Sequence, residues 1–581
     1  MILQALTEYY TTLAEKGQLP PFGWAQVKVS LALYLRDDGS PERMVSVQTE
    51  QVVKKKTVLA PRQIMLPAPV KRSSGIAANF LCDNAAYILG VDSKGKPERA
   101  RKCFAACREL HEQILAETET PAAKAVIAFF RSWNPETAET HPLLAEHWKE
   151  ISEGANLVFG YREKLVHEDG EIREAWDRYY RSAGDGPEAI CLITGEKCKA
   201  ESVHPAIKKV KDAQSSGAAL VSFNTPAACS YGKEQNLNAP TGRFASFAYT
   251  TALNHLLADR EHVSFMGDAT VVCWAKNGSP AYQDVMNGGF FDQMQMDASY
   301  VEEDIQKAVK SLCMGRMVDF RQERLDPNME FYILGLSPNA ARISVRFFLR
   351  NTFGGFLRNI QEHNRRMEIA RPAFDELETL SVRRMLFETV NINSRDKKAS
   401  AIMVGEIMRS ILGNTRYPAT MLNGVNLRIR AEHRVSRGRA AMIKAYYLKN
   451  TNKDVPEEVL TVSLNKESKN VAYNLGRLFA VLEALQSAAN PGINATIKDK
   501  YFNSASAIPG TVFPILLNLA QKHLKKLDAR LRIYYDKQLT EILGRLEESY
   551  PKRMNLAQQG SFQLGYYHQT QERYIKNKEE N

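Results

Sequence analysis

Alternating apolar and polar side chains near the start of the chain predict β-structure. Residues 24–35 carry valine or leucine at nearly every second position, and that spacing places these side chains on one face of an extended strand. The pattern breaks at residues 37–40, Asp-Asp-Gly-Ser, and resumes at Met44, as expected for a β-hairpin. Residues 1–16 are predicted to form a short amphipathic helix, so the chain opens with an α/β unit.

A mixed region follows, in which helical periodicity gives way to short apolar runs. Helices are predicted over residues 98–118, 121–133, 141–150 and 171–181. Strands are predicted over CLIT (191–194) and residues 218–223, 268–275, 331–336 and 341–349. A helix is expected near residues 305–314.

Beyond residue 360 the pattern is helical almost throughout. From Val471 to Leu485, apolar side chains recur at helical spacing, and residues 513–527 and 531–546 repeat it. These segments predict a C-terminal helical bundle of about 120 residues. The predicted fold class is therefore α+β, with an N-terminal α/β domain over residues 1–360, a basic helical connecting region over 361–450 and a helical bundle over 451–581.

Composition narrows the class of protein. The 581 residues exceed what one core supports, and 44% of them are hydrophobic, which is typical of globular proteins. No apolar run is long enough to span a bilayer, and the N-terminus lacks the pattern of a signal peptide. We therefore expect a cytoplasmic protein with no membrane association. The net charge of +11 indicates local basic surfaces suited to nucleic acid.

The candidate chemistry is densest in residues 205–257. A basic run leads into a Gln-Ser-Ser-Gly turn, an apolar segment and a long loop rich in amide side chains. Amides can pair with base edges and cations neutralise phosphate, although turn chemistry alone explains many such loops. The DNA-binding candidates here are Lys208, Lys209, Lys211, Gln214, Asn224, Tyr231, Lys233, Gln235, Asn238 and Arg243.

Two further basic segments show similar chemistry. Between residues 71 and 79, cations, hydroxyls and a glycine converge in a loop that can hold phosphate, and its DNA-binding candidates are Lys71, Arg72, Ser73, Ser74 and Asn79. In the C-terminal bundle the candidates for contacting a single strand are Lys522, Lys525, Lys526 and Arg530. A solvated helix face explains the second group equally well.

Catalytic patterns are missing from the sequence. It contains no phosphate-binding GxxxxGK[ST] loop, GxSxG elbow or HExxH motif. His262 follows Asp259 without a partner motif, and a zinc site at Cys191, Cys198 and His204 fits no standard spacing. We therefore expect no catalytic residues, no metal and no cofactor, and favour a binding subunit over an enzyme.

Several sequence blocks together resemble one family. They include KRSSGIAANFLCDNAAYILG, HPAIKKVKDAQSSGAALVSFN, SYGKEQNLNAP, GDATVVCWA, FYILGLSPNAARISVRFF and GSFQLGYYHQ, spread in matching order from about residue 70 to 570. In these blocks the chain is similar to the large subunit of type I-C Cascade, the CRISPR interference complex.

The resemblance implies a subunit that recognises the protospacer-adjacent motif (PAM) in double-stranded DNA from the minor groove and starts unwinding, so that guide RNA pairs with the target strand. Gln214 and Gln235 are the candidates for the wedge residue. The sequence does not show which loop reads the PAM and which loop acts as the wedge that unwinds the DNA. The implied partners are CRISPR guide RNA, PAM-containing DNA, the other Cascade backbone subunits, small subunits and the helicase-nuclease of the system.

The resemblance also implies that the C-terminal bundle corresponds to the Cascade small subunit and holds the displaced strand. Met442 is a possible internal start for a separate small subunit. Two other functions remain open: a free-standing protein that binds single-stranded nucleic acid without sequence preference, and a metal-dependent nuclease with an unfamiliar site.

Overall fold

A computed structural model describes residues 1–53, 56–70, 75–92, 96–182, 186–266, 268–291, 303–375, 379–391, 393–395, 399–546 and 550–579. The chain forms two compact units: unit 1 comprises Met1–Pro205 and Val221–Leu253, and unit 2 comprises Ala206–Leu220 and Asn254–Asn581. The protein is 49% helical and 17% strand, which confirms the predicted α+β class. The predicted boundaries at residues 360 and 450 fall inside unit 2, and the three-domain division stays a prediction.

Unit 1 contains most of the short strands. Its helices are α1 (Ile2–Glu15), α2 (Ala85–Ile88), α3 (Pro97–Ile114), α4 (Pro121–Ser132), α5 (Pro142–Ala145), α6 (Trp148–Ser152) and α7 (Gly170–Ser182). Its strands are β1 (Trp24–Val29), β2 (Leu31–Leu35), β3 (Pro41–Ser46), β4 (Thr49–Val53), β5 (Lys56–Ala60), β6 (Arg62–Pro67), β7 (Cys82–Asn84), β8 (Asn156–Tyr161), β9 (Lys164–Leu165), β10 (Glu188–Ile190) and β11 (Lys197–Lys199). Helix α8 (Arg243–Ala258) begins in unit 1 and ends in unit 2.

The main sheet of unit 1 has the strand order β3-β2-β8-β7, with β9 also paired to β8. Strands β2 and β8 run parallel and the other pairs are antiparallel. Leu31, Leu33 and Leu35 occupy every second position of β2, so they share the face that packs with Phe129 of α4 and Phe159 of β8. The predicted hairpin is confirmed as β2 and β3, whereas β1 pairs with β6 in a separate ribbon.

Unit 2 combines a four-stranded sheet and a two-stranded ribbon of β-strands with many helices. Its strands are β12 (Ser264–Met266), β13 (Ala269–Ala275), β14 (Val318–Phe320), β15 (Glu323–Leu325), β16 (Glu330–Asn339) and β17 (Arg342–Thr352). Its helices are α9 (Ala281–Met286), α10 (Glu303–Cys313), α11 (Phe353–Met367), α12 (Val382–Phe387), α13 (Ala401–Leu412), α14 (Ala419–Glu432), α15 (Arg437–Lys449), α16 (Val471–Ala489), α17 (Ile497–Ala507), α18 (Pro509–Leu524), α19 (Ala529–Leu543) and α20 (Leu556–Glu579). A π-helical turn, Asn287–Phe291, follows α9.

The four-stranded sheet of unit 2 is antiparallel with the order β12-β13-β16-β17, and β14 pairs with β15 in the ribbon. All residues of β13 are buried, as its continuous apolar sequence requires. The hydrophobic core continues from this sheet through the helices to α20. Helices α16 and α20 approach closely at Gly476 and Gly565, where the missing side chains leave room for the opposing backbone.

Three local predictions are wrong. Residues 191–194 form a turn in which the Gly195 N–H donates to the Cys191 carbonyl at 2.8 Å. Of residues 218–223, only Ala218 and Ala219 form bridges, because the chain leaves the sheet after them. The predicted helix over 141–150 is divided into α5 and α6.

Tyr566 and Tyr567, which belong to the block GSFQLGYYHQ, are buried in the core of unit 2, where α20 packs along α16. Among the described residues, no helix has both the length and the apolar character needed to cross a bilayer.

Candidate nucleic-acid interface

Residues 207–218 of unit 2, here called the lysine loop, contain four of the predicted DNA-binding residues. Ile207 and Ala218 close the loop through an antiparallel bridge in which each N–H donates to the other carbonyl, at 2.9 and 2.8 Å. Both of these side chains are buried. Ala219 then pairs with β17 beside Arg342, so the base of the loop is fixed to the sheet.

Backbone hydrogen bonds hold the lysine loop along its length. The Lys208 N–H donates to Asn254 Oδ1 at 2.7 Å, and the Lys211 N–H donates to Thr270 Oγ1 at 3.0 Å. The Val210 side chain is buried between these two anchors. The fold therefore uses the backbone of the lysine residues and leaves their side chains outside.

The outward-facing residues of the loop are Lys208, Lys209, Lys211 and Gln214, all of which are exposed. Lys209 and Asp212 have left-handed backbones, with φ of 66° and 61°. For a non-glycine residue, the left-handed backbone conformation costs about 1 kcal/mol or more of conformational free energy. Such strain is often retained at functional sites. Gln214 begins a tight turn, closed by the Gly217 N–H donating to its carbonyl at 2.9 Å.

Residues 224–243 of unit 1, here called the tyrosine loop, display an aromatic ring at a sharp turn. The Lys233 N–H donates to the Ser230 carbonyl at 3.0 Å. Between them, Tyr231 and Gly232 have φ of 53° and 67°, as in a type I′ turn. The Tyr231 side chain is 99% exposed, so no packing against the described part of the chain accounts for its position.

Asn238 clamps this turn from within the tyrosine loop. Its Oδ1 accepts the Ser230 N–H at 2.8 Å, and its Nδ2 donates to the carbonyls of Lys233 at 3.0 Å and Gln235 at 2.9 Å. The side chain thus holds both ends of the turn. We interpret Asn238 as a positioning residue, since both amide hydrogens have partners inside the loop, and its predicted contact with DNA stays a prediction.

The remaining candidates of the tyrosine loop fall into two groups. Asn224, Lys233 and Gln235 are exposed. Arg243 is half-buried, with its guanidinium carbon 3.8 Å from the centre of the Tyr180 ring and its Nη1 donating to the Tyr180 carbonyl at 3.3 Å. Arg243 therefore links the start of α8 to α7 rather than extending from the surface.

Of the candidates between residues 71 and 79, Lys71, Arg72, Ser73 and Ser74 lie outside the described residues. Asn79 is described, and its Oδ1 accepts the Val70 N–H at 2.9 Å. Its own N–H donates to the buried Asp83 carboxylate at 3.0 Å. The side chain of Asn79 thus fixes the two ends of this segment to each other.

The four single-strand candidates of the bundle surround one helix junction. Lys522 lies in the last turn of α18, Arg530 in the first turn of α19, and Lys525 and Lys526 between the two helices. All four are exposed. Cations at a helix C-terminus also stabilise the helix dipole, so the end of α18 itself provides one reason for Lys522, Lys525 and Lys526.

The cysteine and histidine candidates do not assemble a metal site. Cys191 Sγ accepts the Gly242 N–H at 3.4 Å, and a Cβ added at Gly242 would lie 3.1 Å from Cys198 Sγ, so the two thiols lie near each other. His204 instead lies 2.7 Å from the Tyr249 hydroxyl, and burial lowers the pKa of His204 to about 4. The described part of the chain contains no group of three Cys, His, Asp or Glu side chains arranged to hold a metal.

One charged cluster is only partly visible in the sequence, which shows His262 beside Asp259 but not its contact with Asp284. His262 Nδ1 lies 2.6 Å from Asp259 Oδ2, and His262 Nε2 lies 2.7 Å from Asp284 Oδ1. Arg321 donates to the other oxygen of Asp284 at 3.2 Å. Burial alone would lower the pKa of His262, but the hydrogen bonds to both carboxylates outweigh it and raise that pKa. Asp284 is too distant in sequence for any spacing pattern to reveal this contact.

Comparison with protein families gives a match over nearly the whole chain. The family described as CRISPR-associated protein (Cas_Csd1) matches residues 6–574. That span includes both loops, the segment 71–79 and the α18–α19 junction. A search among curated proteins gave no match.

Proposed function

Because the chain belongs to the CRISPR-associated protein family Cas_Csd1, a family of Cascade subunits, we propose that it recognises the PAM in double-stranded DNA and begins unwinding there. The family match confirms the resemblance to the type I-C large subunit that the ordered sequence blocks predicted. PAM recognition, R-loop formation and the roles of particular residues are the substance of the proposal.

The lysine loop is the observation that best supports this function. It holds three exposed lysines and Gln214 on a backbone anchored by Asn254 and Thr270. Cations on an ordered loop bind phosphate with little additional loss of conformational entropy. A glutamine amide can donate to the acceptor atoms that dominate the minor groove. We therefore assign PAM reading to the lysine loop.

We assign the role of the wedge to a different element, the turn at Ser230–Lys233. Minor-groove proteins often push an apolar or aromatic side chain between base pairs, and the unstacking costs a few kcal/mol. A ring on a clamped turn resists that force better than a ring on a mobile loop. Tyr231 meets this requirement, and the exposed Gln235 lies two residues after the turn.

The remaining roles belong to the whole complex. The chain is proposed to act with CRISPR guide RNA, the other backbone subunits and small subunits, and to recruit the helicase-nuclease. The C-terminal bundle is proposed to contact the displaced strand through the exposed cations at the α18–α19 junction. The chain itself is proposed to be non-catalytic, and the His262 cluster is explained by its internal hydrogen bonds.

The test uses a guide-loaded complex and a library of duplexes that differ only in the PAM. We expect Gln214→Ala to flatten the preference among PAM sequences, whereas Gln18→Ala, an exposed glutamine in another turn, leaves it unchanged. A uniform loss of affinity for all duplexes would instead support a sequence-independent single-strand binder. Cleavage of DNA by the purified chain with Mg²⁺ or Mn²⁺, abolished by substituting its own carboxylates, would establish the nuclease alternative.

A further inference from the structure

A cavity of about 840 Å³ lies in unit 2. Its walls come from residues 372–375, from residues 380–388 including α12, from the start of α15 and from the C-terminal part of α20. The volume falls in the range of known ligand-binding pockets. No role was predicted for these residues.

The floor of the cavity is a network of buried ion pairs. Arg437 Nη1 lies 2.9 Å from Asp375 Oδ2. Arg439 reaches two carboxylates, with Nη2 2.6 Å from Glu432 Oε2 and Nε 3.1 Å from Glu388 Oε2. Both arginines are buried, so this floor is rigid and its charges are positioned before any ligand binds.

Among the described residues, the lining is positively charged. Arg383, Arg384 and Arg434 add to the two buried arginines, so the described lining has five arginines against three carboxylates and a net charge of +2. The N-terminus of α15 also opens into the cavity at Ser436. The positive end of a helix dipole adds to the attraction for a phosphate.

Three aromatic rings lining the cavity are exposed. Phe374 is 85% exposed, Tyr574 55% and Phe387 46%. Exposed rings beside arginines are the surface on which proteins stack the bases of single strands while neutralising the backbone. An apolar protein partner would explain the rings but not the excess positive charge beside them.

We propose that this cavity binds one or two nucleotides of a single-stranded nucleic acid, with bases stacked on Phe374 and Phe387 and a phosphate held by Arg434 and the N-terminus of α15. The inference deepens the proposed function and rests on it, because Cascade carries two single strands, the displaced DNA strand and unpaired guide RNA. DNA and RNA share the recognised chemistry, so the experiment includes both.

The first measurement is fluorescence anisotropy of labelled (dT)15 and (U)15 with the full chain. The double variant Phe374→Ala, Arg434→Ala is expected to weaken binding about tenfold, as the loss of one stacked base and one phosphate contact implies. Phe374→Trp with Arg434 intact should retain binding. The control Arg316→Ala, Met317→Ala removes one exposed cation and one exposed apolar side chain elsewhere in unit 2 and should leave affinity unchanged.

The second measurement locates the contact. Oligonucleotides containing 5-iodouracil are cross-linked to the full chain and the attached peptides are identified by mass spectrometry. Cross-links to Phe374, Phe387 or Tyr574 support the inference, and preference for (dT)15 over (U)15 assigns the site to the displaced strand. Cross-links confined to other segments would overturn it, and so would unchanged affinity of the double variant when its thermal unfolding is normal.

A separate readout distinguishes this inference from the proposed function. In the assembled complex, the cavity variant should keep the PAM preference of the wild type. Loss of a protein subunit from the variant complex without loss of oligonucleotide binding would identify a protein-docking site and overturn the inference alone. Failure of the wild-type complex to discriminate PAM sequences would overturn the proposed function while leaving the oligonucleotide result standing.

Discussion

The amide of Asn238 determines whether Tyr231 is a fixed ring or a mobile one. We expect Asn238→Ala to remove three hydrogen bonds from the turn and to lower its local stability by about 1–3 kcal/mol. If Tyr231 is the wedge, this loss slows duplex opening more than it weakens initial binding. A 2-aminopurine base beside the PAM reports opening through its fluorescence.

Matched variants separate the clamp from the ring. Tyr231→Phe keeps the ring and should open DNA normally, whereas Tyr231→Ala should show the defect of Asn238→Ala. Because both substitutions act on one element, the double variant should be no worse than the worse single variant. Additive defects would show that Asn238 acts independently of Tyr231 and would contradict the clamp.

His262 provides a pH-dependent contribution with a definite sign. Its pKa is raised by Asp259 and Asp284, so its stabilising effect is complete below the ordinary pKa of 6.5 and is lost as pH rises through the folded-state pKa. We expect His262→Gln to destabilise unit 2 more at pH 5.5 than at pH 8.5, by on the order of 1 kcal/mol. Urea unfolding of both proteins at each pH measures the difference.

The comparison with wild type at equal pH is essential to that measurement. Burial lowers the pKa of His204 to about 4 and that of His363 to about 3, so both destabilise the fold as pH falls below about 6.5. Those effects are common to both proteins and cancel. Asp284→Asn should reduce the pH dependence of the stability that His262 contributes. An undiminished pH dependence would contradict its assignment to the hydrogen bonds of His262 with the carboxylates.

At the scale of elements, strong periodicity was enough to predict structure. Helices α16, α18 and α19 follow apolar stripes, and β13, β16 and β17 follow apolar runs bounded by turns. Residues 191–194 and 218–223 show the limit, since a short apolar run does not reveal whether a neighbouring strand is present.

The candidate site was predictable in composition but not in geometry. Lysines and amides between residues 205 and 243 are visible in the sequence, whereas the anchors Asn254 and Thr270 lie far along the chain and carry no motif. The sequence likewise cannot show that Asn238 faces inward while Tyr231 faces outward. These two orientations are set by contacts between side chains and backbone. Those contacts form only when the loop closes.

The crossing of α16 and α20 depends on two glycines. A Cβ at Gly476 would collide with the Phe562 carbonyl oxygen, and a Cβ at Gly565 would collide with that of Tyr473. Overpacking of this kind costs about 1–3 kcal/mol, more than the gain of up to about 1 kcal/mol in helix propensity. We expect Gly476→Ala to lower the stability of the bundle by about 2 kcal/mol, measured by hydrogen exchange of α16 amides.

Gly405→Ala is the matched control for this prediction. Gly405 also lies inside a helix, α13, but the nearest atom to an added Cβ is 3.9 Å away. Its substitution should be neutral or slightly stabilising. Equal protection of α16 in wild type and Gly476→Ala would show that the helices separate at little cost, and the close crossing would then not be required for stability.

At the scale of the whole molecule, a net charge of +11 attracts DNA even without specific contacts, so affinity alone cannot identify a binding surface. The salt dependence of binding can identify such a surface, because each phosphate contact releases counterions. Each contact contributes about 0.9 to the magnitude of the slope of log K against log salt concentration. Because the lysines of the lysine loop are exposed, the contribution of this loop to that slope can be measured by replacing them. Replacing Lys208, Lys209 and Lys211 by alanine should reduce the magnitude of the slope by about 2.7 if all three contact phosphate.

The control for this prediction removes the same charge from elsewhere. Lys102, Arg108 and Lys149 are exposed in unit 1 outside the candidate loops, and their replacement by alanine leaves the same net charge as the loop variant. Binding of a PAM duplex by the assembled complex, measured between 50 and 300 mM NaCl, should show an unchanged slope for this control. Equal reductions in both variants would mean that the long-range field of the molecule, rather than contact at the lysine loop, attracts the DNA.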